Sequence, residues 1–529
     1  MFLIDATTLK GLSMPEWFGR SAVAWGLAMG LTGMLPSISE ALPQLADAIR
    51  RGQTEQARAL LKRNVDVNEK MPDGTTALHW AVERDDADLV AALIAAKADP
   101  NVATAFGVTP LALACRNGNP AIVSKLVRAG AKPNTPGRTG ETPLMTAART
   151  GRPEVVRLLL EAGADIHAKE PQAGQSAVMW AIAEGHAAVV KMLLSAGASP
   201  REASKRGFTP LLFAARNGDA EITQILLDHG IGVNDASQDG TTALVIATIR
   251  SHLDYAKLLL KLGADPKLGP GFTPIHWIVG DWSSELAGEK TAVRPEGTEW
   301  DRLLPIEGQM RLDFIKVLLQ HGADINSRAK TIPRAAVGTG AAPGAGGGAS
   351  PVRGGGRLAG ATAFFIAAQH AELPLMRFLL ENGADPLVKT ARNVSPLMAA
   401  AGLDSGESIG YTGVPEKDAL EAVKLCLDLG DDVNSVSIDG ENALHGVAYR
   451  GNAGGNQIAA LLIEKKIAVD VKNKRGWTPV TLAEGIYTQN SNSKNPELER
   501  QLLANGGKAS PPGIERDAYA VIRDETPEQ

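Results

Sequence analysis

Nine histidines and two cysteines are the side chains of this sequence best suited to bind a metal or act as nucleophiles. Their spacing argues against both. No His-Glu-x-x-His occurs and no cysteine clusters with histidine, so no zinc site is legible. There is no Gly-x-Ser-x-Gly turn, and the glycine-rich run Gly338 to Gly356 lacks the Gly-Lys-Ser/Thr that would bind a phosphate. Cys115 and Cys426 are too few for a disulfide framework and fall in apolar helical stretches, where a thiol packs as a small hydrophobe. The histidines sit at recurring places instead. His79, His276 and His445 follow a Thr or Asn by three residues, His186 and His252 open apolar stretches, and His229 and His321 precede a glycine. A recurring environment implies a recurring element.

That element is a repeat. Thr76-Ala77-Leu78-His79, Thr109-Pro110-Leu111, Thr142-Pro143-Leu144, Ser176-Ala177-Val178, Thr209-Pro210-Leu211 and Thr242-Ala243-Leu244 recur at steps of 33, 33, 34, 33 and 33 residues. Thr273-Pro274-Ile275-His276 follows after 31 more, and Thr362, Ser395, Asn442 and Thr478 open further copies at longer intervals. Each copy continues into a second apolar stripe, such as Val155-Val156-Arg157-Leu158-Leu159-Leu160, and most close on a turn such as Gly163-Ala164-Asp165. Thr or Ser predicts a helix cap, Pro the first helical position, and the glycine after the second stripe a left-handed end. Asp239-Gly240 and Asp439-Gly440 predict tight turns at the tips of connecting fingers. One such unit exposes two apolar faces and is stable only when stacked.

The pattern resembles the ankyrin repeat family, here in an exported, bacterial-type form, from about Leu42 to Gly507. Eleven copies carry the capping motif. The half-unit Gln44 to Leu61 lacks it and reads as a first repeat, which makes twelve. The resemblance implies an all-α solenoid of stacked helix-turn-helix units with β-hairpin-like fingers. Trp80, Trp180 and Trp277 recur at one motif position and are expected to be core. Cys115 and Cys426, seven repeats apart, would stand on the order of 60 Å from each other, beyond disulfide reach.

The resemblance also implies where a partner would sit, because the family binds with its finger tips and the exposed ends of its first helices. Matching helix-end positions are Arg116, Arg149 and Arg216, with Ala183 interrupting the series. Matching finger positions include Phe106, Val108, Arg138, Glu141, Arg206, Phe208 and Phe272. Guanidinium groups beside exposed phenylalanines suit an acidic protein segment with an apolar anchor. The expected partner is therefore another protein, with no cofactor and no catalysis.

Two inserts break the regularity. Residues 281–309 lie between the helices of the eighth repeat and carry Trp282 and Trp300. Residues 327–360 are rich in Gly, Ala and Pro and are expected to form a flexible loop replacing one finger. Longer connections at Asp404 to Glu416 and Gly451 to Gln457 share an edge with the first insert. They are either a composite surface, which could hold a ligand or an enzyme site, or tolerated lengthening.

The ends and the composition complete the expectations. Residues 1–41 hold the uncharged run Ser21 to Leu35 and then Ser39-Glu40-Ala41, which fits a secretory signal cut before Leu42 and a periplasmic or extracellular protein. Without cleavage, a cytosolic or host-directed interaction protein is the alternative. Residues 42–508 would be the solenoid and 509–529 a disordered tail. Over 529 residues, 54 Lys plus Arg against 59 Asp plus Glu gives no electrostatic pull toward nucleic acid or an anionic membrane. With 4% aromatics, stacking grooves for single strands are not expected either.

Overall fold

The computed structural model describes residues 43–63, 65–280, 308–330, 358–403, 414–451, 454–488 and 491–514. The expected signal segment 1–41, Trp282 and Trp300 lie outside the described residues. Among those described, helices alternate between an inner row that begins each unit and an outer row that ends it. The pairs are α1 (Gln44–Arg50) and α2 (Thr54–Lys62), α3 (Ala77–Glu83) and α4 (Ala87–Ala95), α5 (Pro110–Asn117) and α6 (Pro120–Arg128), and α7 (Pro143–Thr150) and α8 (Pro153–Glu161). They continue with α9 (Ala177–Ala183) and α10 (Ala187–Ser195), α11 (Pro210–Asn217) and α12 (Ala220–Asp228), α13 (Ala243–Ile249) and α14 (Leu253–Lys261), and α15 (Pro274–Val279) and α16 (Gly308–Gln320). The last are α17 (Ala363–Gln369) and α18 (Leu373–Glu381), α19 (Pro396–Ala400) and α20 (Glu416–Asp428), α21 (Ala443–Tyr449) and α22 (Asn456–Glu464), and α23 (Pro479–Glu484) and α24 (Pro496–Ala504). A short antiparallel hairpin, β1 (Ile486–Thr488) and β2 (Ser491–Ser493), joins the final pair.

The repeat chemistry acts as its residue types require. Thr109 Oγ1 accepts from the Ala112 N–H, Pro110 occupies the first turn, and Gly118 ends α5 at φ 73°. In the His-bearing units the ring joins the cap. Thr76 N–H donates to His79 Nδ1 at 3.2 Å, and His79 Nε2 donates to the Val108 carbonyl of the next finger at 3.0 Å. The unit at Thr273 repeats this device, with His276 Nε2 donating to the Ser327 carbonyl at 2.9 Å. Buried leucines such as Leu78, Leu111, Leu144 and Leu211 fill the space between successive inner helices. In the second stripe of the fourth repeat, Val155, Val156 and Leu159 are fully buried, whereas Leu158 is half-exposed.

Asparagines tie one unit to the next. Asn101 Nδ2 donates to the Gly130 carbonyl, and the Lys132 N–H donates back to Asn101 Oδ1. The same pair of bonds joins Asn326 to Gly383 and Asp385, so the stack continues past the second insert. The expectation that this insert replaces a finger is corrected here. Ala329 N–H donates to the Ala361 carbonyl and Gly360 N–H to the Ala329 carbonyl, which closes a finger base. Lys330 N–H and Ala391 N–H continue the bonding to the fingers on either side. Lys330 and Leu358 flank the extra residues in the chain.

Two further expectations move. Residues 509–514, expected to belong to a disordered tail, instead fold back on the last unit, because Ser510 N–H donates to Glu484, Ser510 Oγ donates to Thr481 Oγ1 and Ile514 packs on the core. Of the three tryptophans expected in the core, Trp277 is buried, but Trp80 and Trp180 are only half-buried.

Candidate functional site

The ends of the inner helices form one column across neighbouring units: Glu83 on α3, Arg116 on α5, Arg149 on α7, Ala183 on α9 and Arg216 on α11. Close packing of α3, α5, α7, α9 and α11 against one another places these positions side by side. Arg116 is ion-paired with Glu83. Arg149 stands 3.7 Å from Glu141, and its guanidinium lies over the Trp180 ring at 5.0 Å. Arg216 lies over Phe213 of its own helix at 5.2 Å. Stacking on a ring orients a guanidinium while leaving its N–H edge able to meet a carboxylate. The row is thus preorganised and partly neutralised from within. Glu83 was legible as the same column position one unit earlier. Glu141 sits directly before the Thr142 cap, and Thr146 Oγ1 donates to it at 2.8 Å.

The fingers divide the expected apolar anchors. Phe106 is 60% exposed, and Arg138 and Arg206 are exposed beside it in the series. Phe208 and Phe272 are not available to a partner. Phe208 is 4% exposed and meets Phe213 edge-on at 5.4 Å, while Phe272 is fully buried against His276 and Trp277. Both stand one residue before the capping Thr, where the strand enters the unit and its side chain turns inward. Phe106 stands three residues before the cap, at the tip. Val108 occupies the inward place in its own finger and is half-buried.

Models of ankyrin repeats match this chain over residues 45–136, 81–170, 126–204 and 178–269, and a single ankyrin repeat matches 359–391. This chain belongs to the ankyrin repeat family. Solved structures similar to it include the human ASB11 ankyrin repeat domain, 28% identical over 42% of this chain and 99% of that one, with a TM-score of 0.38. Another is the ankyrin repeat domain of Bcl-3, described as a unique member of the IkappaB protein family. It is 30% identical over 39% of this chain and 94% of that one, with a TM-score of 0.35. Ankyrin repeats are generally modules for protein–protein interaction.

The remaining chemistry-bearing residues serve the stack. Burial lowers the pKa of His79, His276 and His445, that of His276 to about 4. Burial likewise pushes the thiols of Cys115 and Cys426 far above their ordinary value, which leaves them inert. His186 and His252 begin outer helices as expected, and each Nε2 bonds a carbonyl of the previous inner helix, that of Arg149 or Arg216, at 2.9 Å. Among the described residues no group of three His, Cys, Asp or Glu could hold a metal ion, and no helix is long and apolar enough to cross a membrane. The most deeply buried charged side chain among the described residues was not foreseen in the sequence. Arg450 is 1% exposed, its stem fits against Gly402 and Gly455, and its Nη2 donates to the Val414 carbonyl. It joins the tenth and eleventh units at the edge where their longer connections leave the stack.

Proposed function

We propose that the inner-helix groove of the second to sixth units holds an acidic, extended segment of a partner protein and that the chain acts as a non-catalytic scaffold. The observation that carries this reading is the column Arg116, Arg149 and Arg216, with two of its guanidinium groups stacked on aromatic rings. An incoming carboxylate would exchange with Glu83 at Arg116 and with Glu141 at Arg149. Charge alone then adds little, and each arginine should contribute about 1 kcal/mol or less. Exposed Phe106 supplies the apolar anchor, where hot spots concentrate. Arg138 and Arg206 at the finger tips would steer an acidic partner.

We further propose that this binding takes place outside the cytoplasm, on the strength of the Ser21 to Leu35 run and Ser39-Glu40-Ala41. The test is affinity capture from the native cell envelope, followed by binding measurements on the recovered partner. Wild type, the triple Arg116→Ala, Arg149→Ala, Arg216→Ala variant and Phe106→Ala are compared at low and high salt. Equal binding by all three at both salts would place the site elsewhere.

A further inference from the structure

The gap in the arginine column has a chemical meaning of its own. Arg149, Ala183 and Arg216 stand at the same position on three consecutive inner helices, α7, α9 and α11. Where the outer two units present a guanidinium, the middle one presents a methyl group and the accessible part of the half-buried Trp180 ring. Arg149 stacks on that same ring, so the cation and the apolar patch form one continuous surface. Glu141 holds Arg149 only loosely, at 3.7 Å, beyond hydrogen-bond length. A ligand carboxylate that meets the in-plane N–H groups of Arg149 has little to displace.

Distance then sets the spacing of a ligand. Helices packed side by side stand about 8–10 Å apart. A chain in the extended polyproline II conformation advances about 3.1 Å per residue and returns every third side chain to the same face, so one unit of the stack corresponds to about three residues of such a segment laid across it. Resting on the groove reading above, we infer that this part of the groove recognises an extended segment of the form acidic-x-x-apolar-x-x-acidic. One acidic side chain meets Arg149, the apolar side chain meets Ala183 and Trp180, and the second acidic side chain meets Arg216. A uniformly acidic segment fits less well, since it would set a second carboxylate against the methyl group and ring while Arg149 is already engaged by the first, leaving its lost hydration poorly compensated.

The test uses short fluorescent peptides of Ser and Ala that carry Glu-x-x-Leu-x-x-Glu, Glu-x-Leu-x-Glu or Glu-x-x-x-Leu-x-x-x-Glu. Anisotropy is measured with the full chain, with Ala183→Glu, and with Arg149→Ala and Arg216→Ala, each shown to be folded by circular dichroism. The three-residue spacing should bind about tenfold more tightly than either alternative at low salt. Ala183→Glu should abolish that binding, and each arginine variant should reduce it severalfold. Equal affinity for all three spacings, with Ala183→Glu still harmful, would overturn the spacing and leave the groove reading standing. Failure of every peptide to bind, or binding that Ala183→Glu leaves untouched, would overturn both.

Discussion

Lowering the pH from about 7 to about 4 should loosen the stack first where a buried histidine joins a helix cap to the next finger, and His276 is the clearest case. Its Nδ1 accepts the Thr273 N–H at 3.2 Å while its Nε2 donates to the Ser327 carbonyl at 2.9 Å, so the folded unit needs the neutral ring. Protonating Nδ1 would turn that acceptor against the Thr273 N–H, inside a site where burial already disfavours charge. The folded pKa is lowered from 6.5 to about 4. Above pH 6.5 both states are neutral and the full contribution is present; as pH falls below it, only the unfolded chain takes up the proton. The difference corresponds to about 3 kcal/mol, lost progressively until the folded ring also protonates. His79 and His445 shift in the same direction and add to the loss. Because contacts reach only neighbouring units, the effect should be local. Hydrogen exchange, corrected for the intrinsic pH dependence of the amides, should show α15 and α17 losing protection between about pH 7 and about pH 4. The unit of α11 and α12, whose Thr209 cap carries no histidine, should change less. Equal loss in both regions, or none in either, would refute the reasoning.

Three other outcomes follow from the packing. Leu159→Ala should cost about 2–5 kcal/mol through a cavity, and hydrogen exchange should confine the damage to the third to fifth units. Gly151→Ala should cost about 1–3 kcal/mol, read by thermal denaturation. Gly151 has φ 67°, and an added Cβ would stand 2.5 Å from the His186 ring and break its bond to the Arg149 carbonyl. Deleting Ala335 to Arg353 should leave the melting temperature almost unchanged, because the finger base at Ala329 and Ala361 and the Asn326 ties lie outside the deleted segment.

The repeat itself was legible because its parts are local. A capping Thr, a Pro in the first turn and a glycine after the second stripe act within a few residues of one another, and their spacing announces the helix pairs. Cys115 and Cys426, Leu78 and the cap-bonding histidines followed from the same periodicity. The site was legible only in part, since side-chain direction at a finger is set by its neighbours. Phe208 and Phe106 look alike in sequence, yet one fills the space above Phe213 and the other points out from a tip. The partners of Arg116 and Arg149 come from another helix and from the residue before a cap, and the stacking of Arg149 on Trp180 crosses two units. Arg450 gave no signal at all. Its slot exists only because Gly402 and Gly455, about fifty residues apart in the chain, lie beside its stem.

The central claim is that a protein partner lies across the inner helices, and a photo-cross-linking amino acid placed at Ala183 tests it most directly. A second copy placed at Lys417, beside the longer connection of the tenth unit, serves as comparison. Irradiation in the native cell envelope should attach a partner segment to position 183, with acidic residues on both sides of the attachment point, and attach little or nothing to position 417. Cross-links that form only from position 417 would contradict the account and move the binding surface to the edge where Arg450 joins the tenth and eleventh units.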